Sequence, residues 1–220
     1  MEISQSNIAE FIGRYYEPVS DELMELREFA EERYIPVIRR ETENFFNVLF
    51  SVYKPSSILE IGTAIGYSSM YFALKCPDAS IFTIERDEKV FAVAEKNISD
   101  LGLKDRISMF LGDGEEITNR LSKENKRFDL VFIDAAKSHY KRFVDSAMSA
   151  AKSGALIISD DIFQRGTTIN EEIDPTRKHR TNIRRMQEYV EYITSHPSLE
   201  TMMLNVGDGL AVSRYTGNKL

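Results

Sequence analysis

The chain has 220 residues, 42% of them hydrophobic and 29% charged, which is enough apolar material to bury the core of one globular domain. Its formal net charge of −7 excludes a broad nucleic-acid-binding face, although it allows a local basic patch. Cys76 is the only cysteine, so the chain cannot form an internal disulfide and a reducing compartment is expected.

Targeting and membrane signals are also absent from the sequence. Residues 1–10 are polar and lack the apolar centre of a secretory signal. No apolar run approaches the roughly 18 residues that a membrane-spanning helix requires. We therefore expect a cytoplasmic protein that makes no use of a membrane.

The first quarter of the chain is predicted to be helical. Apolar residues recur at helical spacing over residues 20–32 and again over residues 42–53. Pro36 lies between the two segments and interrupts the pattern, because proline cannot continue a helix.

Strands and helices alternate in the rest of the chain. The predicted strands are 57–61, 81–84, 107–111, 129–133 and 155–159. The predicted helices are 66–75, 87–101, 114–124, 139–151 and 179–195. This alternation indicates an α/β fold with a parallel sheet and helices on both faces.

The end of the chain breaks the alternation. Residues 201–206 and 210–215 are two apolar segments separated by Gly207-Asp208-Gly209, which predicts an antiparallel hairpin. Ligands of mostly parallel sheets bind beyond the carboxyl ends of the strands. The residues that end each strand are therefore the candidates for a functional site.

The turn after the first strand predicts a ligand-binding loop. Glu60 precedes the turn Gly62-Thr63-Ala64-Ile65-Gly66, and Ser68 lies at the start of the next helix. A dinucleotide loop needs the spacing G-x-G-x-x-G so that backbone can approach a pyrophosphate, and this chain lacks that spacing. An acid beside the loop favours a cationic ligand. The alternative is an ordinary strand-to-helix turn.

The second strand ends in Glu85, 25 positions after Glu60. A carboxylate there can accept hydrogen bonds from ribose hydroxyls. Together with the Gly62-x-x-x-Gly66 spacing, it resembles the first motif of class I S-adenosylmethionine-dependent methyltransferases. A parallel sheet that finishes in one antiparallel hairpin agrees with that class and disfavours a nicotinamide dehydrogenase.

Three carboxylates follow the fourth and fifth strands. Asp134 ends one strand, and Asp160 and Asp161 end the other. If these strands are neighbours, the three acids converge and repel each other unless a cation neutralises them. Oxygen ligands of this kind favour Mg²⁺. The alternative is that these residues cap helices, a frequent role of aspartate.

Lys137 lies three residues beyond Asp134 and could face the same substrate. A lysine that is desolvated near cations can lose its proton and act as a base. The alternative is a solvated lysine at the start of a helix.

A basic run stands out in this acidic chain. Residues 177–185 carry five fixed positive charges and no acid. Arg177, Arg180 and Arg184 would share one helix face, with Arg185 beside them. Phosphate oxygens of RNA are natural partners of such a cluster. A coenzyme A phosphate and a merely solvated helix face are the alternatives.

These features combine into a family resemblance. Over residues 30–215 the chain resembles the metal-dependent O-methyltransferases of the catechol and caffeoyl-CoA type. The segments that carry the resemblance are 34–38, 59–68, 83–86, 112–113, 132–137, 160–161, 196–197 and 206–209.

The resemblance implies a role for each candidate residue. With the loop motif, it gives an S-adenosylmethionine site formed by Ile38, Glu60, Gly62, Thr63, Gly66, Ser68, Glu85, Arg86, Asp113, Gly114 and Asp134. It implies that Asp134, Asp160 and Asp161 hold Mg²⁺ and that Lys137 is the general base. The family usually has asparagine in place of Asp161, and a third carboxylate should bind the metal more tightly while weakening its Lewis acidity.

Within the family, the chain resembles most the bacterial tRNA 5-hydroxyuridine O-methyltransferases. The expected function is therefore methylation of the wobble base in a tRNA anticodon loop. Methylation of small catechols or of caffeoyl-CoA-like phenols is the first alternative. A non-enzymatic RNA-binding module is the second, and the intact acids and lysine argue against it.

The same resemblance implies the domain organisation. We expect one methyltransferase domain, in which residues 1–52 form a helical cap over the substrate or a dimer partner and residues 53–220 form the catalytic core. The family is often dimeric, so a homodimer is expected.

Overall fold

The computed structural model describes residues 5–170, 173 and 180–217. The helices are α1 (Gln5–Gly13), α2 (Asp21–Glu32), α3 (Arg40–Val52), α4 (Tyr67–Lys75), α5 (Glu88–Asp100), α6 (Gly114–Lys123), α7 (Tyr140–Ala150) and α8 (Arg180–Ser195). The strands are β1 (Ser57–Ile61), β2 (Ser80–Glu85), β3 (Ile107–Leu111), β4 (Phe128–Ile133), β5 (Ala151–Ser159), β6 (Leu199–Leu204) and β7 (Leu210–Tyr215). No helix among these residues is long and apolar enough to cross a membrane.

The strands form one seven-stranded sheet in the order β3-β2-β1-β4-β5-β7-β6. Strands β1 to β5 pair in parallel, and β7 pairs antiparallel with both β5 and β6. The predicted α/β fold with a C-terminal antiparallel hairpin is therefore confirmed. β5 begins four residues earlier than predicted, and the hairpin loop is wider than the glycine turn, because β6 ends at Leu204.

The core lies on both faces of this sheet. One apolar cluster packs the sheet against α6, α7 and α8. The other packs it against α2, α3, α4 and α5. The central strands β1 and β4 are buried along nearly their whole length, as expected for parallel strands covered on both sides.

The order of the strands determines where a ligand can bind. In the sheet, β2 lies on one side of β1 and β4 lies on the other side. The strand order therefore reverses between β1 and β4. Ile61 pairs with Ile133, and Ile133 pairs with Ser159, so the three strands end at the same height. Open α/β sheets bind ligands in the crevice at such a reversal.

A buried ion pair fixes the helical cap to this end of the sheet. Arg27 of α2 and Glu43 of α3 are hydrogen-bonded to each other and both are buried. The Tyr67 hydroxyl donates to Glu43 at 2.7 Å and accepts from Arg27 at 3.0 Å. Arg27 also donates to the carbonyl oxygen of Ile38 at 2.8 Å. This network joins α2, α3, the start of α4 and the segment before α3.

Candidate active site

A first cavity, of about 230 Å³, opens at the carboxyl ends of β1, β2 and β4. Its lining residues come from the four turns that follow β1 to β4 and from α7: Ile61, Gly62, Ala64, Ile84, Glu85, Arg86, Gly112, Asp113, Gly114, Asp134, Ala135, Ala136 and Phe143. Six residues assigned to the cofactor from the sequence are among them, namely Gly62, Glu85, Arg86, Asp113, Gly114 and Asp134.

Gly62 allows two strand ends to approach closely. Its φ of +108° lies in the region that favours glycine. A Cβ atom at this position would stand 2.0 Å from the carbonyl oxygen of Asp134. The glycine therefore brings the backbone after β1 against the backbone after β4 and forms the floor of the first cavity.

The Glu85 carboxylate is held in place by backbone amides. It accepts hydrogen bonds from the amides of Ala64 at 3.0 Å, Arg86 at 2.8 Å and Asp87 at 2.9 Å. A carboxylate oriented in this way at the end of β2 is suited to accept two hydrogen bonds from vicinal ribose hydroxyls.

Asp113 begins α6 and accepts hydrogen bonds from the amides of Glu115 and Glu116. Arg142 of α7 donates to Asp113 at 2.7 Å and to Glu115 at 3.1 Å. Burial opposes ionisation of Asp113, but these hydrogen bonds and the charge of Arg142 lower its pKa. Arg142 was not among the residues expected from the sequence, since no local motif marks a partner 29 positions away.

Glu60 does not reach the first cavity. Its side chain is fully buried and accepts hydrogen bonds from the hydroxyls of Ser68, Ser69 and Thr83. Burial raises the pKa of Glu60 to about 7, although the three hydroxyls lower it. Glu60 was expected at the site entrance. Instead, its buried side chain connects β1 to the start of α4 and to β2.

The remaining expected cofactor residues also lie behind the cavity wall. Thr63 is buried and its hydroxyl lies 2.5 Å from that of Thr83. Gly66 begins α4 with a φ of +87°. Ile38 is buried, and its carbonyl oxygen is the one bound by Arg27. These residues support the loop and the cap, and none of them lines the first cavity.

The three aspartates lie on neighbouring strands, as expected. The Lys137 amino group lies 3.1 Å from carboxylate oxygens of both Asp134 and Asp161, and 2.7 Å from the Tyr140 hydroxyl. Asp160 is only 4% exposed and accepts a hydrogen bond from the Asp161 amide at 2.7 Å. Across the described ranges, no three acidic, histidine or cysteine side chains are grouped closely enough to hold a metal ion.

Electrostatics explain this arrangement. Burial and the nearby charge of Asp134 raise the pKa of Asp160 well above its usual range. Burial would lower the pKa of Lys137, but Tyr140, Asp134 and Asp161 raise it well above its ordinary value. Lys137 is therefore a protonated cation that two carboxylates share. A basic form of Lys137 requires another cation to neutralise those carboxylates.

A second cavity, of about 790 Å³, lies on the other side of these carboxylates. Its lining residues come from the cap, the segment after β5 and the hairpin loop: Arg27, Glu31, Tyr34, Ile35, Pro36, Val37, Arg39, Asp161, Gln164, Arg165, Thr167, Ile173 and Asp208. Arg39 donates to Asp208 at 2.7 Å, which ties the cap to the hairpin loop. Apart from Asp161, no residue of this cavity was assigned a site role from the sequence.

The basic run lies partly on α8. Arg180 begins this helix, Arg184 lies 3.5 Å from Glu188, and both are exposed. Arg185 is exposed as well. Burial lowers the pKa of His139, and the charges of Arg142, Arg86 and Arg185 lower it further. Arg177 lies outside the described residues.

Comparisons with known proteins agree with this geometry. A family model described as O-methyltransferase matches residues 15–216. The caffeoyl-CoA O-methyltransferase of Populus kitakamiensis is 27% identical over 208 residues, which cover 88% of this chain and 86% of that protein. The catechol O-methyltransferase of Niastella koreensis is 33% identical over 129 residues, or 58% of each chain.

Solved structures give the same result. A Staphylococcus aureus protein provisionally assigned as a caffeoyl-CoA O-methyltransferase has a TM-score of 0.88 at 31% identity, over 94% of this chain and 98% of that one. The methyltransferase PaMTH1 of Podospora anserina, solved with S-adenosylhomocysteine, has the same fold, with a TM-score of 0.82 at 24% identity over 98% of both chains. Because the family model spans nearly the whole sequence, and the first cavity offers the groups that a nucleoside needs, the chain belongs to the O-methyltransferase family of S-adenosylmethionine-dependent enzymes.

Proposed function

We propose that the enzyme transfers a methyl group from S-adenosylmethionine to the 5-hydroxyl of 5-hydroxyuridine at the wobble position of tRNA, in a reaction that depends on Mg²⁺. One observation carries the proposal: the two cavities meet at a shared carboxylate rim. Asp134 lines the first cavity, Asp161 lines the second, and Lys137 contacts both acids. A methyl donor and an acceptor can therefore meet beside the lysine.

The first cavity would hold the methyl donor. Glu85 is oriented to accept hydrogen bonds from the ribose, and Asp113 is kept ionised by Arg142. Gly62 and Gly114 let the cavity walls pack closely, because a Cβ atom at either position would collide with Asp134 or Ile61. Holding donor and acceptor in line contributes to catalysis because the in-line displacement at the methyl group needs a fixed geometry.

The carboxylate rim fits a hard divalent cation. Asp134 and Asp161 already direct oxygens at one positive charge, the Lys137 ammonium. Burial and the nearby charge of Asp134 raise the pKa of Asp160, although Lys137 lowers it. Asp134, Asp160 and Asp161 supply the carboxylate oxygens that Mg²⁺ takes, and to hold the ion together their side chains would have to come closer to one another than they are in this structure. When bound, such an ion lowers the pKa of a hydroxyl group that it contacts and fixes its position.

Lys137 would take the proton of the acceptor hydroxyl. Its amino group lies at the rim, within hydrogen-bond distance of Asp134, and the side chain is largely shielded from solvent. A 5-hydroxyuridine presents its hydroxyl beside the O4 carbonyl, and this vicinal pair resembles the two oxygens of a catechol. A base at this place removes the proton as the oxygen attacks the methyl carbon, while the bond from that carbon to the sulfonium sulfur breaks and S-adenosylhomocysteine leaves.

Basic residues around the second cavity and on α8 favour an RNA acceptor. Arg39 and Arg165 line the second cavity, and Arg180, Arg184 and Arg185 are exposed on α8. Arginine side chains bind phosphate oxygens, which position a nucleic acid without reading its sequence. A wobble base in a single-stranded anticodon loop can enter a pocket at little unstacking cost. A tRNA substrate would also place the enzyme in the cytoplasm.

The substrate is tested by incubating the protein with methyl-labelled S-adenosylmethionine, Mg²⁺ and tRNA that contains 5-hydroxyuridine. We expect label in the tRNA, lost when a chelator is added and restored by excess Mg²⁺. The control is the same tRNA with unmodified uridine, which lacks the acceptor hydroxyl. Label that persists in chelator would contradict the metal requirement, and absence of label would contradict the tRNA substrate.

Replacement of Asp134 by alanine tests the metal site. We expect turnover to fall by at least about 10³-fold, because the variant loses a ligand and one partner of Lys137. Titration with Mn²⁺, followed by electron paramagnetic resonance, should show weaker ion binding independently of turnover. Asp105→Ala, which removes an exposed carboxylate outside both cavities, is the control. A wild-type rate and wild-type Mn²⁺ affinity in Asp134→Ala would refute this metal site.

The double variant Arg180→Ala/Arg184→Ala tests the RNA-binding role of α8. We expect weaker tRNA binding and a flatter dependence of its affinity on salt, since each lost phosphate contact reduces the slope by about one. S-adenosylmethionine affinity should stay unchanged. Lys96→Ala/Arg120→Ala removes the same charge from the exposed faces of α5 and α6 and is the matched control. Equal tRNA affinity in both double variants and wild type would exclude the role.

A small phenolic acceptor is the second candidate function. It is favoured by the names of the relatives, which act on caffeoyl-CoA or catechol. The labelling experiment separates the candidates when a simple catechol is run in parallel. Label in the catechol alone would make this a small-molecule methyltransferase. The arginines of α8 would then be solvent-exposed residues without a binding role, or would bind an anionic group of another substrate.

The homodimer remains part of the proposal. Exposed apolar side chains of α3, Val48 and Val52, lie at a groove that also includes Ile12 of α1 and Val206 of the hairpin loop. A second copy of the chain could cover this groove. Light scattering coupled to size exclusion should give about twice the monomer mass, and a monomer mass at micromolar concentration would exclude the dimer.

A further inference from the structure

Three helices of the molecule end with the same backbone motif. After α5, α6 and α2, the second residue beyond the helix has a left-handed φ: +67° at Gly102, +62° at Asn125 and +56° at Tyr34. Glycine is the usual residue at this place and asparagine the next, because other side chains are disfavoured there. Tyr34 is therefore the exceptional residue among the three.

The hydrogen bonds show that the three ends are equivalent. The Tyr34 amide donates to Glu31 at 3.2 Å, and the Ile35 amide donates to Ala30 at 2.9 Å. Gly102 and Asn125 have the same two bonds, one from the left-handed residue and one from the residue after it. Backbone geometry at Tyr34 is thus that of a regular helix end, and the tyrosine gives no advantage in forming it.

Packing does not explain the tyrosine either. Its side chain is 94% exposed. Within the described part of the chain, it makes no side-chain hydrogen bond, ring stacking or cation–π contact. Tyr34 thus has a disfavoured backbone conformation, and its ring contributes no packing that would offset the loss of stability. Residues of this kind concentrate at functional sites.

Tyr34 lies where a function can be assigned to it. It lines the second cavity together with Asp161, Arg39 and Arg165. Six non-glycine residues of the described chain have a left-handed φ, and four of them line this cavity: Tyr34, Asp161, Gln164 and Arg165. The unfavourable backbone conformations are therefore concentrated around the acceptor side of the site.

We propose that Tyr34 is a stacking platform for the nucleobase next to the methylated nucleotide, an inference that rests on the RNA substrate proposed above. A phenol ring offers a flat face on which any base can stack, and Arg39 and Arg165 line the same cavity, where they can meet the adjoining phosphates. The base that stacks on Tyr34 is held outside the rim of Asp161, which keeps the neighbouring base directed toward Lys137. Tyr34 thereby determines how RNA is bound and leaves the chemistry to other residues.

The test is Tyr34→Gly, which removes the ring and relieves the backbone. We expect the KM for tRNA containing 5-hydroxyuridine to rise about 5- to 150-fold, the range of base–aromatic stacking, with kcat at saturating tRNA changed less than about threefold. The melting temperature should rise by about 1–3 °C, because glycine suits the left-handed position. A role in the fold alone would lower the melting temperature and leave the KM for tRNA unchanged.

Asn125→Gly is the matched control, since it makes the same change at an equivalent helix end outside both cavities. It should leave tRNA kinetics unchanged. Tyr34→Phe should retain the wild-type KM because it keeps the ring, whereas Tyr34→Leu should show the raised KM although it keeps apolar bulk.

Each outcome decides the matter. An unchanged KM for tRNA in Tyr34→Gly, or a melting temperature lowered by several degrees, overturns the inference while the proposed function stands. An equal rise in the KM of a simple catechol overturns it too, because the ring would then contact the acceptor itself. Absence of tRNA methylation by the wild-type protein refutes the proposed function, and the inference with it.

Discussion

The first and second cavities meet at one carboxylate rim but are built in opposite ways. The first takes its walls from the turns that end the parallel strands, and backbone atoms hold its parts, as at Gly62 and Glu85. The second takes its walls from the cap, the segment after β5 and the hairpin loop. Side-chain ion pairs such as Arg39–Asp208 hold those parts together.

This difference predicts how each cavity responds to change. The pairing of the strands fixes the walls of the first cavity. A substitution of a wall residue should therefore change both the stability of the fold and the affinity for the ligand. Exposed side chains form much of the second cavity, and exposed ion pairs contribute only about 0–1 kcal/mol to the free energy of unfolding. Substitutions there should change acceptor binding and leave stability nearly constant. Substitutions of Gly62, Arg142 and Arg39 test this contrast, in order of decreasing expected effect.

Gly62→Ala should break the first cavity. The new Cβ would stand 2.0 Å from a backbone oxygen that cannot move without displacing the end of β4. We expect S-adenosylmethionine affinity to fall at least about 100-fold and the free energy of unfolding to fall by about 3 kcal/mol or more. Isothermal calorimetry and urea denaturation measure the two quantities.

Gly154→Ala is the control that separates the effect of a steric collision from the effect of a left-handed backbone conformation. Gly154 has a φ of +86°, but a Cβ atom there would meet nothing within 4 Å. This variant should lose only about 1 kcal/mol of stability and keep its cofactor affinity. If both variants lose stability and affinity equally, the contact between Gly62 and Asp134 is not what shapes the cavity.

Arg142→Ala should weaken the first cavity without breaking it. The variant leaves Asp113 with its two backbone hydrogen bonds but removes the guanidinium that fixes it and Glu115. We expect S-adenosylmethionine affinity to fall about tenfold and the free energy of unfolding to change by about 1 kcal/mol or less, since the pair is partly exposed.

The control for Arg142 is Arg120→Ala on α6. Arg120 lies 3.9 Å from Glu124 and both are more than half exposed, so its loss should change neither quantity. If Arg142→Ala and Arg120→Ala bind S-adenosylmethionine equally well, Arg142 is not needed to position Asp113. The proposed difference between the two cavities would then be weaker.

The same contrast explains how much could be predicted from the sequence. The positions of the strands and part of the first cavity follow from local patterns, because a strand, its turn and its terminal residue are contiguous. The order of the strands in the sheet was not predicted. Gly62, Glu85 and Asp134 were found in this way, Asp113 was found through the family resemblance, and all four line the first cavity. The boundaries of β5 and β6 differ from prediction because polar Lys152 and Ser153, and polar Glu200, interrupt the apolar signal.

Burial is the property that local patterns predicted least well. Glu60 was expected at an entrance because it is charged and precedes a glycine turn, but β1 is buried along nearly its whole length. Inside the fold, three hydroxyls donate hydrogen bonds to the Glu60 carboxylate. Its donors Ser68, Ser69 and Thr83 are spread over two elements, so the sequence gives no sign of the set. The second cavity joins residues as distant as Tyr34 and Asp208, and no spacing rule could group them.

Arg39→Gln is the smallest change and the most selective test of the second cavity. Glutamine keeps a hydrogen-bond donor near Asp208 but loses the charge that would meet a phosphate. We expect the KM for tRNA to rise about three- to fivefold and its salt slope to fall by about one, with unchanged S-adenosylmethionine affinity. Arg214→Gln removes a comparable exposed arginine, 2.8 Å from Glu200, outside both cavities and should leave every quantity at its wild-type value. If Arg39→Gln instead weakens cofactor binding, the two cavities are coupled through the cap. The first cavity, formed by the sheet, and the second cavity, formed by loops, would then not respond independently to substitution.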